Sequence, residues 1–338
     1  MNVSRAYRIT LLTLALALPA VICVAAAAGA YPIDALRIPA ILWGHLEDEG
    51  YRILLYIRLP RVFIAGLVGA ALAVSGASLQ SMFRNPLADP SLIGVTAGAG
   101  LAVSAWIVFA RASGLLAVWG LPIAGFVGGL AIVWTVWRIA RAGGATQMST
   151  LLLTGIALNA IAFAGIGLFA FLSDEEELRG ITFWQLGGMT SANWALAFAV
   201  VPPIALGLIL LVPLGGKLNA LALGERDAFH LGVPVHALQR RIIWGAAFAV
   251  GGSVAAAGGV GFIGLVVPHL FRLCCGADNR WLLPSAALGG AILLIGADTA
   301  ARTVAQPAEI PVGVLTAFVG GPFFLWLLVR NRREAFYA

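Results

Sequence analysis

The sequence contains few charged residues and few cysteines, and each shortage excludes a class of protein. Only 11% of the 338 residues are charged, whereas 61% are hydrophobic. Soluble domains carry roughly twice that share of charged residues, so a soluble cytoplasmic enzyme is almost excluded. Three cysteines are too few for a disulfide framework, and the adjacent pair Cys274 and Cys275 lacks the spacing of zinc ligands.

The short motifs that mark nucleotide, metal and acyl-transfer sites are also missing. Gly215-Gly216-Lys217 lacks the first glycine of a phosphate-binding loop, because Leu211 stands five residues before Gly216. The sequence has no HExxH or GxSxG motif, and its four histidines are scattered. Acidic residues within the apolar segments are nearly absent, so no proton relay is visible. A chain of this kind would draw energy for any work from elsewhere.

The chain instead consists largely of apolar runs, and its mean hydropathy is +0.96. A bilayer is crossed by about 17–25 such residues, so we predict one all-α, polytopic transmembrane domain over residues 1–338. The first run follows Arg5 and Arg8 and could instead be a signal peptide, but its length of about 20 residues favours a span. The ten predicted helices lie near 9–29, 61–82, 92–110, 115–137, 149–172, 194–213, 241–257, 260–273, 282–302 and 312–330.

The distribution of basic residues predicts the orientation of these helices. If ten spans place both termini in the cytoplasm, fourteen of the 21 Lys and Arg residues lie inside and seven lie outside. Cytoplasmic loops of membrane proteins carry such an excess of Lys and Arg. The sequence therefore predicts a multi-pass protein with both termini cytoplasmic.

Small residues recur at every fourth position in two of the predicted helices. A ladder of this kind lets a second helix backbone lie close, as helices do inside a bilayer. The two ladders also share similar neighbours, because residues 69–76 resemble residues 245–252, 176 positions later. The similarity indicates inverted-repeat halves, as in many transporters, or chance likeness between Ala/Gly-rich helices. The ladders are Ala65, Gly69, Ala73, Ala77 and Ser81, and Gly245, Ala249, Ser253, Ala257 and Gly261.

Residues 215–240 form an amphipathic segment on the predicted cytoplasmic side. Its breaks at glycine and proline favour two short surface helices joined by a turn. Such helices could lie on lipid or dock a cytoplasmic partner. The mixed charges of Glu225-Arg226-Asp227 suit a protein surface better than anionic lipid, which favours docking. The candidate apolar contacts are Leu218, Leu221, Leu223, Phe229 and Leu231.

Motifs that follow one another from residue 58 to residue 330 resemble one family closely: the permease subunits of bacterial ABC importers for iron-siderophores, haem and cobalamin. They include RLPR at 58–61, NPLADP at 85–90, ALGE at 222–225, GFIGLVVPH at 261–269 and EIPVG at 309–313. The resemblance implies a ten-helix fold like that of the cobalamin permease, in the bacterial inner membrane. It also implies a homodimer that works with two ATPase subunits and a periplasmic binding protein. ATP and Mg²⁺ would be bound by the ATPase, and this chain would hold no cofactor and catalyse no reaction.

The resemblance also implies roles for residues within the matching motifs. Arg58, Arg61 and Arg302 would receive acidic groups of the binding protein, although each alone would be better interpreted as an arginine snorkelling at a helix end. The residues implied to couple to the ATPase are Leu221, Leu223, Gly224, Glu225, Arg226, Asp227, Leu231 and Gly232. Those implied to line or gate the pathway are Met148, Ser149, Asn159 and Arg179. For Asn159, a polar contact between helices is an equal alternative.

The cargo predicted from the resemblance is haem. Residues 178–184 resemble the haem branch of the family, whereas Gln185 and residues 189–193 depart from it. Cobalamin or a ferric siderophore is therefore the alternative within the family. An ion-coupled secondary transporter is the main rival outside it, but no coupling-ion site is visible at depth. An intramembrane enzyme is a weaker rival, because it would need a nucleophile or a metal site.

Overall fold

The computed structural model describes residues 3–31, 33–35, 38–43, 49–110, 115–142 and 145–336, and it is an all-α bundle. The helices are α1 (Val3–Ala27), α2 (Ile38–Trp43), α3 (Glu49–Arg52), α4 (Leu59–Phe83), α5 (Val95–Phe109), α6 (Leu115–Ala140), α7 (Met148–Leu172), α8 (Glu175–Leu186), α9 (Trp194–Leu211), α10 (Gly215–Leu223), α11 (Glu225–His230), α12 (Val235–Ala257), α13 (Ile263–Cys275), α14 (Asn279–Thr303) and α15 (Val312–Phe336). Between α6 and α7, the two-residue strands β1 (Arg141–Ala142) and β2 (Ala145–Thr146) pair antiparallel. A π-helical turn (Ile53–Arg58) leads into α4, and a 3-10 turn (Pro90–Ile93) precedes α5.

All ten predicted membrane helices are present, as α1, α4, α5, α6, α7, α9, α12, α13, α14 and α15. Within the described residues, six helical stretches are long and apolar enough to cross a membrane, and three further apolar helices are shorter. The first predicted span, α1, packs along α14, as a membrane helix of the bundle would. One boundary difference changes an interpretation: α12 begins at Val235 rather than near residue 241. Residues 235–240 therefore belong to a bundle helix and not to the predicted surface segment.

The small-residue ladder of α4 packs against α14, and this is the most extensive helix contact in the bundle. At its centre, a methyl group added to Gly290 would overlap the carbonyl oxygen of Gly69 and lie 2.7 Å from the Cβ of Ala73. On a neighbouring face of α4, Gly76 lies equally close to the backbone of Gly264 in α13. Absent side chains thus allow one helix to touch two others, backbone against backbone.

Replacing Gly290 with alanine is therefore expected to destabilise the bundle by about 1–3 kcal/mol, the usual range for overpacking a dense interior. Gly296 provides a matched control in the same helix, because no atom lies within 4 Å of its added methyl group. Alanine at Gly296 is expected to be neutral or slightly stabilising, since alanine favours helix over glycine by about 1 kcal/mol. Thermal unfolding of the two variants in detergent compares them directly, and equal midpoints would contradict the close backbone contact.

Each half of the chain packs one of its helices against two helices of the other half. From the first half, α4 packs against α13 and α14, and from the second half, α12 packs against α5 and α6. The helix starts correspond as well, because α5 follows Gly94 and α13 follows Phe262, both of which have left-handed backbones with φ of 87° and 68°. Reciprocal packing and matching breaks are expected of repeated halves and not of chance similarity between two helices.

The helices α5 and α13 begin inside the bundle rather than at its surface. Gly94 lies beside Asn159, eleven residues into α7, and a methyl group added to Gly94 would be 3.6 Å from the Asn159 Oδ1 atom. Phe262 packs against Gly320, eight residues into α15. Both helices are consequently short, with 15 and 13 residues. The chain reaches each start through irregular backbone enclosed by protein, which is where a membrane tolerates it.

Contacts between distant segments define the two ends of the bundle. At one end, which we call the α10 end, Asn219 bonds Asp278 and Ser81 bonds Asn279. At the other end, which we call the α8 end, the indole nitrogen of Trp194 donates to the Leu55 carbonyl at 2.7 Å. Residues 84–90, 141–142, 145–147, 211–240 and 275–281 lie at the α10 end, and residues 28–31, 33–35, 55–61, 173–193, 258–262 and 302–312 lie at the α8 end.

Candidate functional site

The predicted surface helices are present at the α10 end as α10 and α11. They meet at Gly224, whose φ of 133° reverses the chain between them and would strain any other residue. Gly232, with φ of 81°, closes the turn after α11 in the same way. The two helices are thus held at a fixed angle to each other by glycines that the sequence analysis assigned to coupling.

Three apolar side chains of this segment are exposed. Leu223, Phe229 and Leu231 are 66%, 70% and 64% exposed, and we call these three residues the apolar triad. The other two candidates, Leu218 and Leu221, are buried in the protein's own core at 0% and 1% exposure. The prediction that Leu218 and Leu221 contact a partner is therefore corrected: they anchor α10 to the bundle.

A groove of about 360 Å³ lies beside the triad, between α11 and the start of α12. Its wall is stiffened by Gln239, which donates to the Glu225 carboxylate at 3.0 Å. Apolar knobs beside a groove with both charge signs match the anatomy of a protein interface better than that of a lipid surface. The groove is lined by Glu225, Arg226, Phe229, His230, Pro234 and Val235, among others.

Helix α7 is largely exposed along its length. Among its 25 residues, the buried ones are Leu151, Gly155, Ala162 and Ile166. Its exposed surface carries bulky residues such as Phe171, at 84% exposure, but also a row of small ones. That row has helical spacing and consists of Ala157, Ala160, Ala164 and Gly167. Small residues in a row leave room for a close neighbour, so this face fits another helix or a passage.

The four predicted pathway residues occupy different positions along α7 and α8. Met148 is half-buried against the core, and Ser149 is exposed beside it at the α10 end. Asn159 is half-buried, and its Nδ2 atom donates to the Ser91 carbonyl at 3.0 Å. This hydrogen bond is a polar contact between packed segments, which is the alternative role that the sequence analysis gives for Asn159. Arg179 points outward from α8 with 67% of its side chain exposed, 3.7 Å from Glu175.

Helix α8 lies at the α8 end of the bundle and begins with a capping box. The Asp174 carboxylate accepts from the Glu177 backbone at 2.9 Å, and the Glu177 carboxylate accepts from the Asp174 backbone at 3.1 Å. This reciprocal pair fixes the first turn, and acidic residues there also favour the helix dipole. Most of α8 is exposed and Ile181 is its buried anchor. The helix thus presents the exposed Arg179 side chain at this end of the bundle.

The three predicted docking arginines lie together at the α8 end, and all three are buried. Arg58 donates to the carbonyls of Ala26 and Ala27, both at 2.7 Å, and Arg302 donates to the carbonyl of Ala28 at 2.7 Å. These carbonyls lie at the end of α1, where helix carbonyls lack partners within the helix and a cation also complements the helix dipole. The two arginines therefore cap α1 and attach it to the bundle.

Arg61 is held by two carboxylates. It forms a bidentate pair with Asp298, with distances of 2.9 Å from both Nε and Nη2, and its Nη1 atom lies 3.0 Å from Glu309. Asp298 is 2% exposed, whereas the side chain of Glu309 is 38% exposed. The sequence analysis did not identify these partners. In this arrangement a binding-protein carboxylate would have to compete with internal ones, so the direct docking role stays a prediction.

Comparisons with known proteins agree with this geometry. The model of the FecCD transport family matches residues 16–330. The hemin transport system permease protein HmuU of Yersinia pestis is 45% identical over 299 residues, 87% of this chain and 88% of that protein. The vitamin B12 import system permease protein BtuC of Klebsiella pneumoniae is 41% identical over 298 residues, with 87% coverage of both. A solved ABC transporter, described as of the metal-chelate type and inward-facing, superposes with a TM-score of 0.84 at 32% identity, covering 95% of this chain and 98% of its own.

Proposed function

The chain belongs to the FecCD transport family and is a permease of an ABC importer, and from this premise we propose that it carries haem inward across the bacterial inner membrane. The observation that carries the choice of cargo is the 45% identity to a hemin permease across most of both chains, against 41% to a vitamin B12 permease. The exposed Arg179 supports it, because a guanidinium at the mouth suits the carboxylates of haem.

We further propose that two copies of the chain enclose the pathway between their α7 helices. The support is the exposed row of small residues Ala157, Ala160, Ala164 and Gly167. A helix that faces only lipid needs no such row, whereas a helix beside a second helix or a passage does. In this arrangement Met148 and Ser149 stand at the α10 end of the passage and Arg179 at the α8 end. Tilting of the two α7 helices would open one end while closing the other, as alternating access requires.

The energy would come from two ATPase subunits bound at the α10 end. The apolar triad and the adjacent groove support this, because they form an exposed protein-like surface on rigid helices. The orientation follows, with the α10 end and both termini in the cytoplasm and the α8 end facing a periplasmic binding protein. Basic residues concentrated at the α10 end, such as Arg84, Lys217, Arg240 and Arg280, support the same orientation.

Uptake by the purified complex in sealed proteoliposomes tests the proposal. With the ATPase inside and the binding protein outside, hemin entry is expected to require ATP and to exceed vitamin B12 entry. A preference of about 10-fold or more is expected, which corresponds to about 1.4 kcal/mol of preferential binding. Preferential vitamin B12 or ferric siderophore entry would overturn the cargo. Entry that persists without ATP and collapses with an ion gradient would favour a secondary transporter.

A further inference from the structure

A chain of hydrogen bonds runs from the docking helix α10 into the interior of the bundle. It starts at Asn219, whose side-chain Nδ2 atom donates to Asp278 at 2.6 Å. The Oδ1 atom of Asn219 accepts from Asn279 twice, from the backbone nitrogen at 2.8 Å and from the side-chain nitrogen at 2.9 Å. Every hydrogen bond of this amide is thus directed at the first turn of α14.

The chain continues from Asn279 to two further helices. Ser81 of α4 donates to the Asn279 Oδ1 atom at 2.9 Å. Next to it, Gln80 accepts a hydrogen bond from Arg272 of α13 and donates to the Gly264 carbonyl at 3.1 Å. Gln80, Ser81 and Asn279 are 2%, 7% and 3% exposed. One asparagine on α10 is therefore linked, bond by bond, to α14 and α4, and the Arg272 Nη2 atom, 3.5 Å from the Ser81 Oγ atom, extends the chain to α13.

Close backbone contact reinforces the start of this chain. A methyl group added to Gly215 at the start of α10 would lie 2.6 Å from the Arg280 Cα atom and 2.8 Å from the Asn279 carbonyl oxygen. Arg280 and Asn219 both bond Asp278, and the hydrogen bond from Arg280, followed by that from Asn219, lowers the pKa of Asp278 to about 2. This carboxylate is consequently charged at any physiological pH, and the joint between α10 and α14 does not loosen with protonation.

Packing alone does not account for so many buried polar groups. The α4 and α14 helices already meet through Gly69 and Gly290, and α10 is already anchored by Leu218 and Leu221. Buried polar groups cost free energy unless their hydrogen bonds are satisfied, so a buried and satisfied network calls for a role beyond packing. Hydrogen bonds differ from apolar contacts in fixing direction, so helices joined this way move as one body when either is pushed.

We propose that Asn219 and Ser81 form a transmission link, which carries the movement that an ATPase imposes on α10 and α11 into α4, α13 and α14. The inference rests on the proposed function, since it requires an ATPase at the apolar triad. Asn219 and Ser81 act here as positioning residues, because neither touches cargo or nucleotide. The rival is transmission through the apolar anchors Leu218 and Leu221, in which case the polar chain is dispensable.

The test uses the complete reconstituted complex with hemin as the transported probe, and it measures hemin moved per ATP hydrolysed. In N219A and in S81A, assembly and ATP hydrolysis are expected to persist, while this ratio falls by about 5-fold or more, the lower end of typical coupling between sites. The N219A/S81A double variant is expected to be no worse than the poorer single variant, because both substitutions break one chain. Ser78→Ala is the matched control, since Ser78 is equally buried on α4 but bonds only the Val74 carbonyl of its own helix.

Three results would overturn the link: an unchanged ratio in both single variants, multiplying losses in the double variant, or an equal loss in Ser78→Ala. If N219A fails to assemble, S81A decides, because it leaves α10 and its contacts with α14 intact. A wild-type complex that does not couple hemin entry to ATP would overturn the proposed function itself. A coupled wild type with unaffected variants overturns the link alone.

Discussion

Arg61→Ala is expected to destabilise the isolated permease by about 3–5 kcal/mol, the usual loss when one partner of a buried ion pair is removed. The reason is the charge that remains. Asp298 is 2% exposed and accepts hydrogen bonds from the Nε and Nη2 atoms of Arg61, so its buried carboxylate would lose its hydrogen-bonded cation and keep only Arg302, whose Nε atom lies 3.7 Å away. Thermal unfolding in detergent, with the yield of monodisperse protein, measures the loss.

Two further variants distinguish the cost of leaving a buried charge unpaired from the cost of losing the arginine side chain itself. Arg61→Met combined with Asp298→Leu removes both charges and is expected to recover most of the stability, because a buried pair replaced by apolar groups is often neutral or better. Arg179→Ala removes an exposed ion pair of the same type and is expected to cost less than about 1 kcal/mol. If Arg61→Ala matched the wild type, the guanidinium would not be structural and would be free for the docking role that the sequence suggests.

The helices and their close contacts could be predicted from the sequence because both depend on local pattern. Apolar length marks each span, and small residues four apart mark the face that packs, so the contact of α4 with another helix was foreseeable. Its partner was not, because Gly69 meets Gly290 from 221 positions away in the chain. Likewise nothing near Arg61 in sequence indicates that Asp298 and Glu309 lie beside it.

Which apolar residues of segment 215–240 are exposed could not be predicted either, and the physical reason is different. One continuous helix would give a single apolar face, and Leu218, Leu221 and Phe229 could all share it. Gly224 interrupts the segment with a backbone angle that no helix contains, so the phase of the second helix is reset. The structure therefore separates the leucines of α10 that anchor it from the apolar triad that remains exposed.

The starts of α5 and α13 were predicted a few residues too early, because hydropathy does not show where helical hydrogen bonding begins. The predicted helices 92–110 and 260–273 include apolar residues that the structure places in turns, ending in the left-handed residues Gly94 and Phe262. An apolar residue in a turn enclosed by protein contributes to a hydropathy average as much as one in a helix. The family resemblance predicts a coupling segment and a pathway helix, but it did not locate these backbone breaks.

Phe229→Ala is expected to weaken binding of the ATPase by at least about 30-fold, which corresponds to the 2 kcal/mol or more that defines an interface hot spot. Phe229 is the largest member of the apolar triad, is 70% exposed, and also lines the neighbouring groove. A bulky aromatic side chain at the centre of such a surface is the type of residue that dominates binding. Hemin uptake at limiting ATPase is expected to fall with it. Titration of the ATPase onto the purified permease, read by size and by stimulated hydrolysis, measures the change.

Phe198→Ala is the matched control, because Phe198 is 69% exposed on α9 and is far from the α10 end. Equal affinities for Phe198→Ala and the wild type, with a large loss for Phe229→Ala, would place the ATPase on the triad. Equal losses in the two variants would indicate a general effect of removing exposed aromatic surface. Unchanged affinity in Phe229→Ala, Leu223→Ala and Leu231→Ala would show that the ATPase binds elsewhere, because an interface centred on the triad cannot lose its apolar core without losing affinity.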